Sequence, residues 1–589
     1  MSKIIDFDAI KKAETLLLDP AEPRFVLSKS GVFYIGKKID QQTGIITDLP
    51  PLWLCDQLEI MGRGCTDGGQ HYRILKWHSR GNGMVQTHAL PLAMIGEKAG
   101  WAILKGNGLA LATSRRALEH LATWLQTEGV DTMYHVTECG GWNKGAYVLP
   151  SGEIIGKPTM PLFYIGDQNN AKTYRQQGDA ESWRDNVARL AAGNSRPMLS
   201  IGCGFAAPLL HLIDLESGGF HLYGDSGDGK TTSAKVGGSV WGKPTEQILN
   251  WDSTALALTN AAAARNDGLM MLDEVGQGNP DAVSMSAYRL FNGVGKMQGA
   301  KEGGNRAVLN WRILAFSTGE KPLYEFLSSG GKTMQAGQEV RLPSIAADAG
   351  AGYGAFENLH GHSTAGQFAE ALDDAYLQHY GSVGRVFITA IASDLPSISI
   401  RLRTAVNQWR NALPPEASGQ TRRITARFAL VAEALEIATE LGLTGWQLNE
   451  GQAAIRRCFG EWLAQNGVGK REDENLLNQA EAFFNSEGFS RFIDLLKAGD
   501  DREEIQIHKC AGYRKRDVNG SVFFLVFPHV FINEIAKGFE KSKASEVLNK
   551  YGMIMKPNEK GWTAKHRTPD FPDARRFYRF NKTARYEIE

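Results

Sequence analysis

The residues whose types and spacing suit chemistry lie in the middle of the chain. The stretch HLYGDSGDGKTT, His221 to Thr232, contains Gly224, Asp225, Ser226, Gly227, Asp228, Gly229, Lys230 and Thr231, which fit G-x-x-x-x-G-K-[ST]. Glycines at this spacing let backbone N–H groups crowd around phosphate oxygens. The lysine reaches the outer phosphates of a nucleoside triphosphate, and the following hydroxyl supplies a ligand to Mg²⁺. Residues Gly224 to Thr232 are therefore the candidate cradle for ATP. Within it, Lys230 has a catalytic role and Thr231 is a metal ligand.

Three later segments complete a reaction centre. The apolar run Leu269-Met270-Met271-Leu272 ends in Asp273 and Glu274. Asp273 would hold Mg²⁺, directly or through water, and Glu274 would polarise the attacking water. In WRILAFSTGE another apolar run ends in Ser317 and Thr318, either of which would contact the outermost phosphate or the water. Arg341, in AGQEVRLPSI, stands about one element further on. A guanidinium supplied from a neighbouring subunit would stabilise transition-state charge; a surface arginine in an ordinary salt bridge is the competing reading. Arg423 and Arg427 are spaced one helical turn apart in the helical region, and either could also reach the nucleotide.

These groups need elements to carry them. GGFHLYG, GLMMLDE and WRILAFSTG are short apolar runs ending at polar or glycine residues, which suits buried parallel strands with functional residues at their C-terminal ends. They alternate with helical segments such as SWRDNVARLAAG, so residues 186–400 read as an α/β core. Residues 1–185 read as an α/β accessory or collar domain, with strands at GVFYIG, YRILKW and AYVLP and an amphipathic helix at RRALEHLATWLQTEG. Residues 401–500 are helical, as in RITARFALVAEALEIATELG, and KREDENLL could start a connecting helix. Residues 501–589 return to short helices and strands.

Composition narrows the partners. The chain has 589 residues, more than one compact core, with 42% hydrophobic and 22% charged residues. Net charge is +0, so any nucleic-acid contact must come from local patches. The six cysteines form no C-x-x-C pair, which argues against a zinc site or a disulfide framework and for reduced thiols in the cytoplasm. No run of 18 apolar residues occurs, so no membrane partner is expected.

HLYGDSGDGKTT, DGLMMLDEVGQ, YRLFNGVGK, FSTGE and AGQEVRLP stand in the same order in a family catalogued as a "domain of unknown function", found in replication proteins of phages, plasmids and other mobile elements. The chain is also similar upstream, in GGWNKGAYVLPSGEIIG and SWRDNVARLAAGNSRPMLSIGCGFAAPLL, so the resemblance spans roughly residues 30 to 450. Members look like AAA+ ATPases related to the minichromosome maintenance (MCM) helicases. The resemblance implies an AAA+ P-loop NTPase core, a helical lid at 401–500 and a hexameric ring that translocates on DNA. It further implies that Ser317 or Thr318 is sensor 1, that Arg341 is the finger, and that Arg423 or Arg427 is sensor 2. A primase, polymerase or single-strand-binding protein would be a partner.

Two segments offer DNA contacts. FNGVGKMQGAKEGGNRAVLNW lies where MCM-like rings carry a channel hairpin, and holds Lys296, Lys301 and Arg306 among five glycines of 293–304. Basic groups on such a tip suit phosphate contacts without base reading. From Lys541 to Glu589 there are 12 Lys plus Arg against 6 Asp plus Glu, arranged as two helices and a hairpin. That order resembles a winged helix, a DNA-binding module at 501–589. The leading expectation is an ATP-dependent DNA helicase of a mobile element. The runner-up is a DNA-binding AAA+ switch, loader or defence protein that remodels a partner without unwinding. A fused primase fares poorly, since residues 1–185 lack an acidic metal cluster.

Overall fold

The computed structural model describes residues 22–167, 171–297, 308–329, 340–467, 471–495, 508–557, 561–581 and 583. The chain forms two compact units, one made of residues 1–405 with 427–458, the other of 406–426 with 459–589. Both are mixed α and β.

The first unit opens with β structure. A sheet in the order Leu162–Tyr164, Met133–Thr137, Leu58–Cys65, His71–His78, Val85–Pro91 is antiparallel from Leu58 to Pro91 and parallel beyond it. The helix Arg115–Thr127 starts at Ser114, whose hydroxyl accepts from the Ala117 N–H. Its apolar face, Leu121, Trp124 and Leu125, is buried with Trp77 and Trp101.

The functional part is built on a five-stranded sheet. Helix α1 (Ser195–Ala206) leads to β1 (Gly218–Tyr223), and α2 (Lys230–Gly238) follows the glycine loop. Then come β2 (Ile248–Asn250), β3 (Gly268–Asp273), α3 (Pro280–Asn292), β4 (Ile313–Gly319), β5 (Ser344–Ala346), α4 (Ala365–Gln378) and α5 (Gly419–Glu440). The strand order is β2-β3-β4-β1-β5, every pair parallel. All strand ends therefore meet along one edge. The apolar runs form β1, β3 and β4 because each is covered on both faces: all seven residues of β4 are buried. α1 with its extension to Ile213 is long and apolar enough to cross a membrane by composition, but it is 83% buried inside the unit, as a core helix is.

Close backbone approach explains one glycine. A Cβ on Gly219 of β1 would collide with the Ala315 carbonyl of β4. Gly219→Ala is expected to destabilise the core by about 1–3 kcal/mol, the usual cost of overpacking. Gly366→Ala, where a Cβ meets only the Thr364 hydroxyl at 3.9 Å, should not. Thermal melts of the two variants check the contrast.

In the second unit α6 (Arg471–Glu487) packs on a sheet built around β6 (Gly512–Arg516) and β7 (Val522–Val526). α7 (Lys541–Lys550), β8 (Ala564–Thr568) and β9 (Phe571–Phe580) follow, with β8 and β9 an antiparallel hairpin and β9 also paired to β7. The order helix, then hairpin, read from the tail of the sequence is the order observed. Phe484, Phe524, Phe531, Tyr578 and Phe580 fill the space between sheet and helices.

Candidate nucleotide site

The loop between β1 and α2 is where the glycines are needed. Gly229 has φ +80° and caps α2, a backbone region that side chains rarely enter. A Cβ there would also meet the Phe356 ring at 2.8 Å. Phe356 belongs to the segment after β5, and the Ala355 N–H donates to the Asp228 carbonyl at 2.8 Å. That segment is itself anchored: the Arg196 guanidinium, fully buried, donates to the carbonyls of Ala346 (3.1 Å) and Asp348 (2.9 Å). The loop is thus held in shape from below before any ligand arrives.

A cavity of about 480 Å³ opens at the exit edge of the sheet. It is lined by Ser226 to Thr232 of the loop, Asp273, Glu274 and Gly276 after β3, Thr318, Gly319 and Glu320 at the end of β4, and Ala369 of α4. Lys230 Nζ donates to the carbonyls of Gly224 (2.9 Å) and Asp225 (2.5 Å). The Thr231 hydroxyl lies 3.4 Å from both Asp273 carboxylate oxygens. The Thr318 hydroxyl donates to Asp273 Oδ1 and in turn accepts from the Glu274 N–H at 3.4 Å. Three residues far apart in sequence thus share one polar cluster.

Glu274 sits at φ +51°, ψ +72°, in the left-handed region. Such strain in a carboxylate at the head of a cavity is stored where the surrounding fold holds it. The chain turns sharply there and sends Glu274 into the cavity beside Asp273 rather than continuing the strand.

Of the two residues ending the β4 run, only Thr318 lines the cavity. Ser317 points to the other face and is fully buried. Its Oγ lies 2.9 Å from His221 Nδ1 and accepts from Trp251 Nε1 at 3.0 Å. His221 Nε2 lies 3.0 Å from the Lys321 carbonyl, and burial pushes the ring's pKa down to about 4.

The arginines lie elsewhere. Arg341 precedes β5, where it bonds Asn292 at the end of α3 and pairs with Glu216 at 3.5 Å, just before β1. That is the entry edge of the sheet, and six residues of β1 put it roughly 17 Å from the exit edge. Arg427 is buried at the same edge. Its Nη1 donates to the Val340 carbonyl at 3.0 Å, and a Cβ on Gly218 would strike its guanidinium. Burial is the main cause that pushes its pKa down to about 10. Arg427 therefore does not line the cavity. Arg423 is exposed on α5, in the stretch belonging to the second unit.

Lys296 is exposed beyond α3, next to a short antiparallel ladder in which Gly295 N–H donates to Leu309 O at 2.8 Å and Trp311 N–H to Gly293 O at 2.9 Å. Lys301 and Arg306 lie outside the described residues.

Gly276, Gly319, Glu320 and Ala369 line the cavity without having been assigned from sequence. Glu320 stood in the quoted FSTGE segment. Ala369 carried no signal, being an alanine in an ordinary amphipathic helix.

Residues 25–310 match the family model described as "Domain of unknown function (DUF927)". A solved structure named "SCCmec type IV Cch - active helicase" aligns with a TM-score of 0.68 at 16% sequence identity, covering 95% of this chain and 98% of that one. The two chains share a fold. No curated protein matches the sequence.

The strain at Glu274 has a measurable consequence. Glu274→Gly, which accepts a positive φ freely, should raise nucleotide-free stability by roughly 0.5–1 kcal/mol, whereas Glu274→Gln should leave it unchanged. Melting temperatures of the two variants decide.

Proposed function

We propose that the chain is an ATP-dependent DNA helicase, an AAA+ ring translocase of the MCM-like kind that serves the replication of a mobile genetic element. The observation that carries this reading is the convergence of the Gly224–Thr231 loop, Asp273, Glu274 and Thr318 at one edge of a parallel sheet in the order β2-β3-β4-β1-β5. The whole-length likeness to a helicase fold supports it.

In this reading ATP is the substrate. Lys230 exchanges its carbonyl partners for phosphate oxygens, and the N-terminus of α2 faces the same charge. Thr231 and Asp273 present a hydroxyl and a carboxylate within 3.4 Å, hard oxygen donors that fit Mg²⁺. When bound, that ion neutralises charge on the phosphate oxygens. Thr318 fixes the orientation of Asp273 and contacts the terminal phosphate. Glu274 takes the proton of the attacking water. Arg341, at the opposite edge of the sheet, acts on the site of the next subunit, so the reaction centre is complete only in a ring, a hexamer in this reading. Of the two arginines expected for sensor 2, Arg427 is buried and Arg423 is exposed.

DNA contacts come from Lys296, Lys301 and Arg306 in the channel and from the C-terminal unit as a winged-helix-like module. In the latter, β8 and β9 set like charges opposite each other where Lys565 faces Arg576. Directly opposed like charges cost stability, which a phosphate backbone between them would reverse.

The test is ATP hydrolysis with and without single-stranded DNA. Wild-type protein should hydrolyse ATP, and DNA should raise the rate severalfold. Lys230→Ala should remove the activity altogether. Lys296→Ala should keep the basal rate and lose the stimulation. ATP hydrolysis indifferent to DNA would instead support a switch that remodels a protein partner.

A further inference from the structure

Beneath the cavity runs a chain of hydrogen bonds whose direction is forced by its members. The Lys321 carbonyl can only accept, so His221 Nε2 carries the hydrogen. The neutral ring then has Nδ1 as an acceptor, and the Ser317 hydroxyl must donate to it. An indole N–H can only donate, so Trp251 gives its hydrogen to the other side of the same hydroxyl oxygen. Every group is satisfied in one arrangement, and one tautomer alone allows it. The chain joins the loop after β2, strand β4, strand β1 and the loop after β4.

That last loop belongs to the reaction centre. Gly319 and Glu320 line the cavity, and Lys321 follows them directly. The Gly319 carbonyl accepts from the Gly224 N–H at 3.2 Å, so the segment is tied to the phosphate loop on one side of Glu320 and to His221 on the other. The fit is tight: a Cβ on Gly319 would lie 2.9 Å from the His221 ring.

We propose that His221 is a positioning residue of the nucleotide site, holding the Lys321 carbonyl so that Thr318 and Glu320 face the cavity in register with the phosphate loop. The imidazole does not touch the nucleotide. It acts through the segment 318–321, so its loss affects the alignment of reacting groups more than the affinity for nucleotide. Misplacement of such groups by about 1 Å costs up to roughly 100-fold in rate. The hydrolysis part of this proposal rests on the ATPase reading above.

Two substitutions separate the two bonds of the ring. His221→Gln extends an amide N–H to the position of Nε2 and keeps the Lys321 bond. His221→Asn reaches only the position of Nδ1 and keeps the Ser317 bond. Turnover of ATP, affinity for a fluorescent ADP analogue, and hydrogen exchange of residues 316–322 in nucleotide-free protein are measured for both and for wild type. The expected result for His221→Asn is a kcat lowered about 10- to 100-fold, affinity within about threefold of wild type, and faster exchange of the segment. His221→Gln should recover most of the kcat and the protection. Equal loss in both variants, or affinity falling in step with kcat, would assign His221 a merely structural part and overturn the proposal. Unchanged rates and exchange in His221→Asn would overturn it as well. A wild type that hydrolyses no ATP would refute the ATPase reading separately, while the exchange measurement still decides whether His221 holds the segment.

Discussion

The register of β4 between β1 and β3 is the constraint on which the site depends. Leu272 of β3 pairs with Ser317, and His221 and Leu222 of β1 pair with Ser317 and Thr318. In that register the Thr318 hydroxyl meets Asp273 and the Ser317 hydroxyl meets His221 on the opposite face. Because side chains alternate along a strand, a slip of one residue that brought Gly319 to the place of Thr318 would turn each hydroxyl to the opposite face. Asp273 would lose its partner, and a polar group would be stranded beneath the sheet. Such a buried, unmet donor costs about 1–3 kcal/mol, so the polar pairs on both faces help to fix the register that the apolar side chains alone would leave ambiguous.

Much of the cavity's lining was legible because it comes from contiguous runs of residues. Ser226 to Thr232 line the cavity as one segment, and Asp273 and Glu274 as another. The strands that carry them were legible as apolar runs, and each forms within a residue or two of its expected place. What was not legible depended on facing and distance. All seven residues of β4 are buried, so no alternation in polarity tells which of Ser317 and Thr318 points to the cavity. The helical spacing of Arg423 and Arg427 says that both share a helix face, but not that one is exposed and the other enclosed under Gly218. Nothing in the sequence ties Trp251 and His221 to Ser317 until the fold brings the three together. The chain passes between the two compact units at 405/406, 426/427 and 458/459, each time inside a helix, where nothing in the helical pattern marks it.

Polar groups divide between the two edges of the core sheet. The exit edge carries the phosphate loop and the carboxylates; the entry edge carries Arg341 and Arg427, with Glu216 between them. In the C-terminal hairpin Lys565 of β8 and Arg576 of β9 are exposed and stand opposite each other.

The central claim is that hydrolysis at Glu274 is coupled to separation of DNA strands. Strand displacement on forked DNA with ATP, comparing wild type with Glu274→Gln, tests it most directly. The account predicts that wild-type protein unwinds the fork and that the variant binds ATP yet separates nothing. Wild-type protein that hydrolyses ATP but leaves forked and tailed duplexes intact would contradict it.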